Sequence, residues 1–233
     1  MYGFLKWILC CFAIVYFTNS KGQTYIGTSV NIGNQLSFTP ESEGIKKPFA
    51  ISGNLFIRKK EKLNNEWVIQ YSAGLGILGY SLKIQTIDTL MTSEVSRILD
   101  YSTFYGQLDF LLGKEFLVKK KKVLVGAGFG ATYYMCSSSV GYGVGVIKDD
   151  VFTRVFSAEI DCSPNSFSGF AKITTQLELN SVIIVGLAYT YHFSPALTGS
   201  YEFYHTNTPS SGAISLYQRE INFIFLVRIS KME

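Results

Sequence analysis

The chain has 233 residues, 47% hydrophobic, 15% aromatic and only 16% charged, with a formal net charge of +4. This composition excludes a disordered chain, a coiled coil and a collagen, because a typical soluble chain carries about 25% charge. No run of about 18 apolar residues follows the first 20 positions, which excludes a helical polytopic membrane protein, yet the mean hydropathy of +0.19 is high and points to β-structure in a membrane.

Residues 1–22 read as a cleavable secretory signal peptide. Lys6 precedes an apolar run from Trp7 to Phe17, and Ser20-Lys21-Gly22 is a small-x-small site that places cleavage before Gln23. An N-terminal membrane anchor is the competing interpretation, but the run is short for a span. The remaining 23–233 reads as a single β-barrel domain. Cys10 and Cys11 leave with the signal. Cys136 and Cys162 remain, and in an oxidising compartment they either pair or stand as isolated thiols. No CxxC, HExxH or His cluster occurs, so no metal site and no cofactor is expected.

From Gln23 onward the sequence alternates with the period of a transmembrane strand, in which bulky residues face lipid and small or polar ones face the lumen. The first expected strand runs from Tyr25 to Phe38. The second, 49–58, puts Phe49, Ile51, Leu55 and Ile57 outward and Ser52, Asn54 and Arg58 inward. The third, 67–77, puts Trp67, Ile69, Tyr71, Leu75 and Ile77 outward, with Gln70, Ser72, Gly74 and Gly76 inward. The fourth, 103–116, places Phe104, Leu108, Phe110, Leu112 and Phe116 outward and Gln107, Asp109 and Glu115 inward. The fifth, Val123 to Cys136, is the clearest: Val125, Phe129 and Tyr133 share one face, and Gly126, Gly128 and Gly130 lie on the other. Glycines there let strands curve in a narrow barrel. The sixth runs outward through Ile183, Val185, Leu187, Tyr189, Tyr191 and Phe193, with parity extending back to Ile173, so one long strand is predicted. The seventh, 197–205, has Ser200 and Glu202 inward, and the last puts Ile221, Phe223, Phe225, Val227 and Ile229 outward with Asn222 and Arg228 inward.

This makes eight strands in an antiparallel up-and-down transmembrane barrel. The connections near Lys59 to Asn65, Lys119 to Lys122 and Ser194-Pro195-Ala196 are short, whereas 39–47, 87–96, 147–169 and 207–218 are long. Short turns on one side and long loops on the other are the asymmetry of outer-membrane barrels. The lysine run at 119–122 is a solvated hairpin turn rather than a nucleic-acid patch, so no nucleic-acid partner is expected. A soluble barrel of the lipocalin kind would put its apolar face inside. The ionisable set Arg58, Asp109, Glu115, Glu202 and Arg228 on the small face favours the membrane, where acid and base pair inside a plugged lumen, Glu202 with Arg228 and Arg58 with Asp109.

On these motifs (a signal ending before Gln23, Gly-rich alternating strands and an apolar last strand) the chain resembles the small outer-membrane β-barrel proteins of Bacteroidota and is similar to the OmpA-type eight-stranded barrel domain. It departs from them in closing Ile229-Ser230-Lys231-Met232-Glu233 without a terminal aromatic. The resemblance implies an outer-membrane location and contact with its lipid and lipopolysaccharide. It also implies a non-enzymatic structural or surface-interaction role, with no catalytic, cofactor-binding or metal-ligating residues. The 147–169 loop, with Cys162, Asn165 and Phe167, is the expected element for an envelope protein partner. Two alternatives stand beside this. One is a hydrolase resembling the lipid A deacylases, carried by His205 on the lipid side with Ser210 and Ser211 nearby, although Asn207 stands where the nucleophilic Ser belongs. A second candidate of the same spacing, His192-Phe193-Ser194, falls at an expected periplasmic turn, and the simpler reading of His205 is a residue of the interfacial aromatic belt. The other alternative is an accessory barrel of a secretion or motility machine.

Overall fold

The computed structural model describes residues 22–33, 35–46, 50–64, 66–135, 140–161, 166–206 and 211–229. The predicted signal segment Met1 to Lys21, Cys136 and Cys162 with their proposed disulfide, and the last four residues lie outside the described residues. The described chain is all β, with fourteen strands: β1 (Gln23–Ile32), β2 (Gln35–Thr39), β3 (Ile45–Lys46), β4 (Ala50–Lys62), β5 (Trp67–Asp88), β6 (Ser93–Val118), β7 (Lys121–Met135), β8 (Val140–Lys148), β9 (Val151–Asp161), β10 (Ser166–Glu178), β11 (Ile183–His192), β12 (Leu197–Phe203), β13 (Ser211–Tyr217) and β14 (Arg219–Arg228).

Eight of these close a ring. The pairing order is β5-β4-β1-β14-β11-β10-β7-β6, and β6 returns to β5. Every pair in the ring is antiparallel. Closure removes free strand edges, so each backbone polar group of the ring finds a partner within the sheet. The short turns gather at one end of the ring, at 63–66, 119–120 and 179–182. Gln23 of β1 and Arg228 of β14 lie at this same end, opposite Lys60 and Tyr25.

The expected eight-stranded ring is therefore present, but its composition differs in two places. The predicted single strand through 173–193 is two strands, β10 and β11, joined by a turn at 179–182. Asn180 makes that turn: its Oδ1 accepts from the backbone N–H of both Val182 and Ile183 at 2.8 Å. Ser194-Pro195-Ala196, expected as a periplasmic turn, instead leads from β11 into β12. β12 is no ring strand. It belongs to a second sheet of order β2-β13-β12-β9-β8. That order mirrors β1-β14-β11-β10-β7, so the second sheet continues the barrel wall beyond the ring. Gly33, at φ 104, links β1 to β2, and a Cβ there would meet the Arg219 carbonyl oxygen at 2.7 Å.

The segments expected as long loops are thus mostly strand. The 147–169 segment is the β8–β9 turn at Asp149-Asp150, followed by β9 and the start of β10; Asn165 lies outside the described residues. β5 and β6 run on as a hairpin as far as Asp88 and Ser93. With β3 this hairpin faces the five-stranded sheet, and the two enclose an apolar core that includes Leu78, Leu82, Ile84, Phe156, Tyr201 and Leu216.

The molecule accordingly has two halves with opposite polarity, and β5 shows the change within one strand. In the ring its inward side chains are Gln70 and Ser72 beside Gly74 and Gly76, and its outward ones are Trp67, Ile69, Leu75 and Ile77. Beyond Ile77 the inward positions become Leu78, Tyr80, Leu82 and Ile84, and the outward ones Ser81, Lys83 and Gln85. The apolar outer band from Trp67 to Ile77 matches the ~9–11 residues of a tilted transmembrane strand. Phe104 and Phe129, on the same band, are 61% and 64% exposed. The predicted orientations of Arg58, Asp109, Glu115, Asn222 and Arg228 hold. That of β12 is reversed: Leu197, Tyr201 and Phe203 are buried, and Ser200 and Glu202 face out. The rule that polar means inward fails there because β12 lies in the half whose interior is apolar.

Candidate functional site

The interior of the ring is filled rather than open. At mid-height Asp109 on β6 collects three partners. Lys172 Nζ on β10 donates to its Oδ2 at 2.8 Å, Arg58 Nη2 on β4 stands 3.7 Å from the same oxygen, and the Ser72 hydroxyl on β5 donates to Oδ1. Arg58, Asp109 and Lys172 side chains are all nearly inaccessible. Arg58 also lies over the Phe56 ring, 4.8 Å from its centroid. The Arg58–Asp109 pair was expected across a narrow interior, and the structure brings them together. Lys172 is hidden in the sequence because the alternation runs unbroken from β10 into β11. Its parity, opposite to Ile173, was the available signal.

Above this cluster runs a chain of hydrogen bonds from neutral side chains that ends on the Glu220 carboxylate. Asn54 Nδ2 donates to Gln107 Oε1 at 3.0 Å, and Ser29 Oγ lies 2.7 Å from the amide oxygens of both Asn54 and Asn31. Asn31 Nδ2 donates to Ser52 Oγ at 2.9 Å, and Ser52 donates to Glu220 at 2.6 Å. Gln218 Nε2 donates to the same Glu220 oxygen at 3.0 Å, and Tyr134 OH donates to Gln218. Tyr105, Tyr134, Phe170 and His192 then form an aromatic layer between the polar lumen and the apolar core above, with Tyr105–Tyr134 and Phe170–His192 centroids 6.2 and 5.0 Å apart. Below the cluster, Gln70 and Gln176 exchange amide hydrogen bonds at 3.0 Å, and Val68, Leu111 and Leu124 pack against each other. Nearer the turns Lys60 and Lys62 pair with Glu115, and Arg228 and Lys122 each stand 4.0 Å from Glu178. Such a lumen sets its acids beside its bases, the condition under which buried charge is tolerated.

The expected Glu202–Arg228 pair does not form. Glu202 is on the outer face of the upper sheet, where it accepts from Tyr204 OH, and Arg228 turns to Glu178 and the Tyr25 ring. His205 lies outside the strands of the ring. It sits at the far end of the upper half, exposed, at φ 52, and its carbonyl accepts from Thr89 at the tip of the β5–β6 hairpin. Ser211 is exposed on β13, and Asn207 and Ser210 lie outside the described residues. His192, expected at a periplasmic turn, is buried in the aromatic layer at the opposite end of the ring.

In the upper half the edges of β6 and β8 meet through phenols. The Tyr80–Tyr101 and Tyr101–Tyr142 centroids are 5.2 and 6.4 Å apart, and Tyr142 OH donates to the Asp100 carbonyl at 3.4 Å. Burial, with Tyr101 and Asp100 adding to it, pushes the Tyr142 hydroxyl up to about 12, and burial raises Tyr80 and Tyr101 as well. The stack is therefore uncharged at neutral pH.

No family model matches the sequence, and no curated protein matches it. Similar solved structures include the outer membrane protein OprG of Pseudomonas aeruginosa, 11% identical, with 90% of this chain and 97% of that one covered at a TM-score of 0.44. Ail of Yersinia pestis, in complex with sucrose octasulfate, is 13% identical over 88% of this chain and all of that one, with a TM-score of 0.35. The outer membrane protease OmpT of Escherichia coli is 8% identical over 89% and 92%, with a TM-score of 0.38. These structural neighbours are outer-membrane proteins, and they include both a protease and proteins of other kinds.

Proposed function

We propose that the chain is a non-enzymatic outer-membrane barrel of the OmpA-like kind, whose lumen is closed to solutes and whose upper half carries a surface-interaction role outside the cell. The observation that carries this reading is the reversal of polarity along β5: an apolar outside over a polar interior suits lipid, and an apolar interior under a polar outside suits water. The filled lumen supports the rest. An eight-stranded ring is just wide enough for its own side chains, and here they are hydrogen-bonded across it. Lipid and lipopolysaccharide are the partners of the outer band. The protein partner expected at 147–169 is assigned to the β8–β9 hairpin end, where Ile147, Val151 and Phe152 are exposed.

The test is fractionation of cell envelopes followed by planar-bilayer recording of the purified protein. A heat-modifiable band in the outer-membrane fraction, with no steady conductance, is the expected outcome. Recovery as a soluble periplasmic protein overturns the membrane assignment, and stable open channels overturn the closed lumen.

A further inference from the structure

We propose that the β6–β7 hairpin and the trough above it hold one anionic phospholipid of the leaflet on the short-turn side, its phosphate on the hairpin lysines and an acyl chain in the trough. This rests on the outer-membrane reading and adds to it a site with a headgroup preference.

The hairpin reaches past its neighbours. The last pairings on either side are Trp67 with Lys114 and Leu177 with Val123, while β6 and β7 continue pairing to Val118 and Lys121. Along that extension Phe116, Leu117 and Val118 are all exposed, and Lys119 to Lys122 follow at once. Lys119 and Lys120 form the turn at φ 47 and 67. Such left-handed pairs favour Asn, Asp and Gly, and the β8–β9 tip at the other end of the molecule uses Asp149 and Asp150 at φ 49 and 64. Turn geometry therefore does not account for lysine at the β6–β7 tip.

The carboxylates of the short-turn end are already engaged. Glu61 faces Lys59, Glu66 faces Lys114, Glu115 faces Lys60, and Glu178 faces Arg228 and Lys122. Among the described residues no carboxylate pairs with Lys119, Lys120 or Lys121, although Lys121 Nζ donates to the Leu179 carbonyl. The tip thus joins an exposed apolar run to unmatched cations. The bilayer interface accepts both, with the apolar side chains at the hydrocarbon edge and the ammonium groups among phosphates.

Directly above, the outer band carries a trough. Ala127 lies between Leu112 and Ile173 in one cross-strand row, and Thr175 lies between Val125 and Leu187 in the next. These two short side chains make the floor, and Phe116 and Lys114 stand at the end nearest the hairpin. A lipid whose phosphate meets the lysines can lay a chain along Phe116 into this trough. A zwitterionic headgroup would bring its own ammonium among the lysines, so the site selects an anionic one. Free phosphate would leave both the trough and the apolar run uncovered.

The purified full-length barrel is refolded into vesicles of equimolar phosphatidylglycerol and phosphatidylcholine with the same acyl chains. Lipid retained after exchange into detergent is then counted by native mass spectrometry. Phosphatidylglycerol should be retained over phosphatidylcholine by about tenfold, since each lysine near an anionic surface adds to the attraction. The double variant Lys119→Asn and Lys120→Asn keeps residues that tolerate the turn and should bring that preference to within about twofold. Ala127→Phe fills the trough and should lose retained lipid of both kinds; Thr175→Leu replaces it should that variant not fold. Excess inorganic phosphate should displace nothing. Equal retention of the two lipids, an unchanged preference in the lysine variant, undiminished retention with the trough filled, or displacement by phosphate each overturns the proposal. The heat-modifiable band separates the two levels of failure. A barrel that inserts without a headgroup preference removes the site and leaves the membrane reading, whereas a chain that inserts into neither kind of lipid removes both.

Discussion

At the scale of single residues, the interior charges differ by an amount their local geometry sets. Asp109 compensates two buried cations, Arg58 and Lys172, and accepts from Ser72. Removing one partner of a buried pair costs about 3–5 kcal/mol, because the other charge is left unsolvated. Asp109→Ala is expected to reach that range. Arg228→Ala should cost less, since Arg228 is one-fifth exposed and 4.0 Å from Glu178. Lys83→Ala, on the exposed outer face of β5, should stay within about 0.5 kcal/mol. Urea midpoints of the three variants refolded into lipid vesicles check the ranking, and equal midpoints for Asp109→Ala and Lys83→Ala would remove the plug as a stabilising element. Arg58 and Asp109 were legible in the sequence because each shares its parity with polar residues, Ser52 and Asn54 for Arg58 and Gln107 and Glu115 for Asp109, on a strand whose other face is bulky. Glu202 looked the same and was misplaced, because a polar residue flanked by apolar ones has the same pattern on either side of the membrane boundary.

At the scale of elements, the alternation was strong enough to identify β4, β5, β6, β7 and β14 with their faces. It failed where a turn preserved parity. Leu177, Leu179 and Ile183 keep the odd-position rhythm across the 179–182 turn, which contains neither Gly nor Pro, so β10 and β11 read as one strand. Asn180 was the sole turn-forming signal with a mechanism, its side chain capping two backbone N–H groups. The inward glycines of β7 allow curvature, and the structure gives them a sharper reason. A Cβ on Gly130 would strike the Phe170 ring and the Leu108 carbonyl, so β6, β7 and β10 approach closely only because the side chain is absent. Gly130→Val should therefore abolish the heat-modifiable folded band in refolding. Gly141→Val, on β8 where a Cβ would meet nothing within 4 Å, should fold normally. Similar folding yields from both would show that β7 does not need the close approach.

At the scale of the whole molecule, the decisive feature is the boundary at which the apolar face changes sides, and it was only half visible in the sequence. Alternation has the same period in both halves, so one rule, bulky outward, was carried past the level of Ile77 into strands that obey the opposite rule. The two halves make opposite demands on the same substitution. Phe129 is at the centre of the outer band of β7, and an Arg there would face hydrocarbon at a cost of about 2–4 kcal/mol near the midplane. Ser96 is equally outward on β6, opposite Gln85, but lies beyond the boundary, where an Arg meets water and should change stability by less than about 0.5 kcal/mol. Refolding into lipid vesicles, followed through the urea midpoint, should separate Phe129→Arg from Ser96→Arg by the difference between those figures. A barrel standing in water exposes both positions equally and predicts no such gap. If Phe129→Arg were as harmless as Ser96→Arg, the outer band would not be a lipid contact, and the membrane reading of the fold would fail with it.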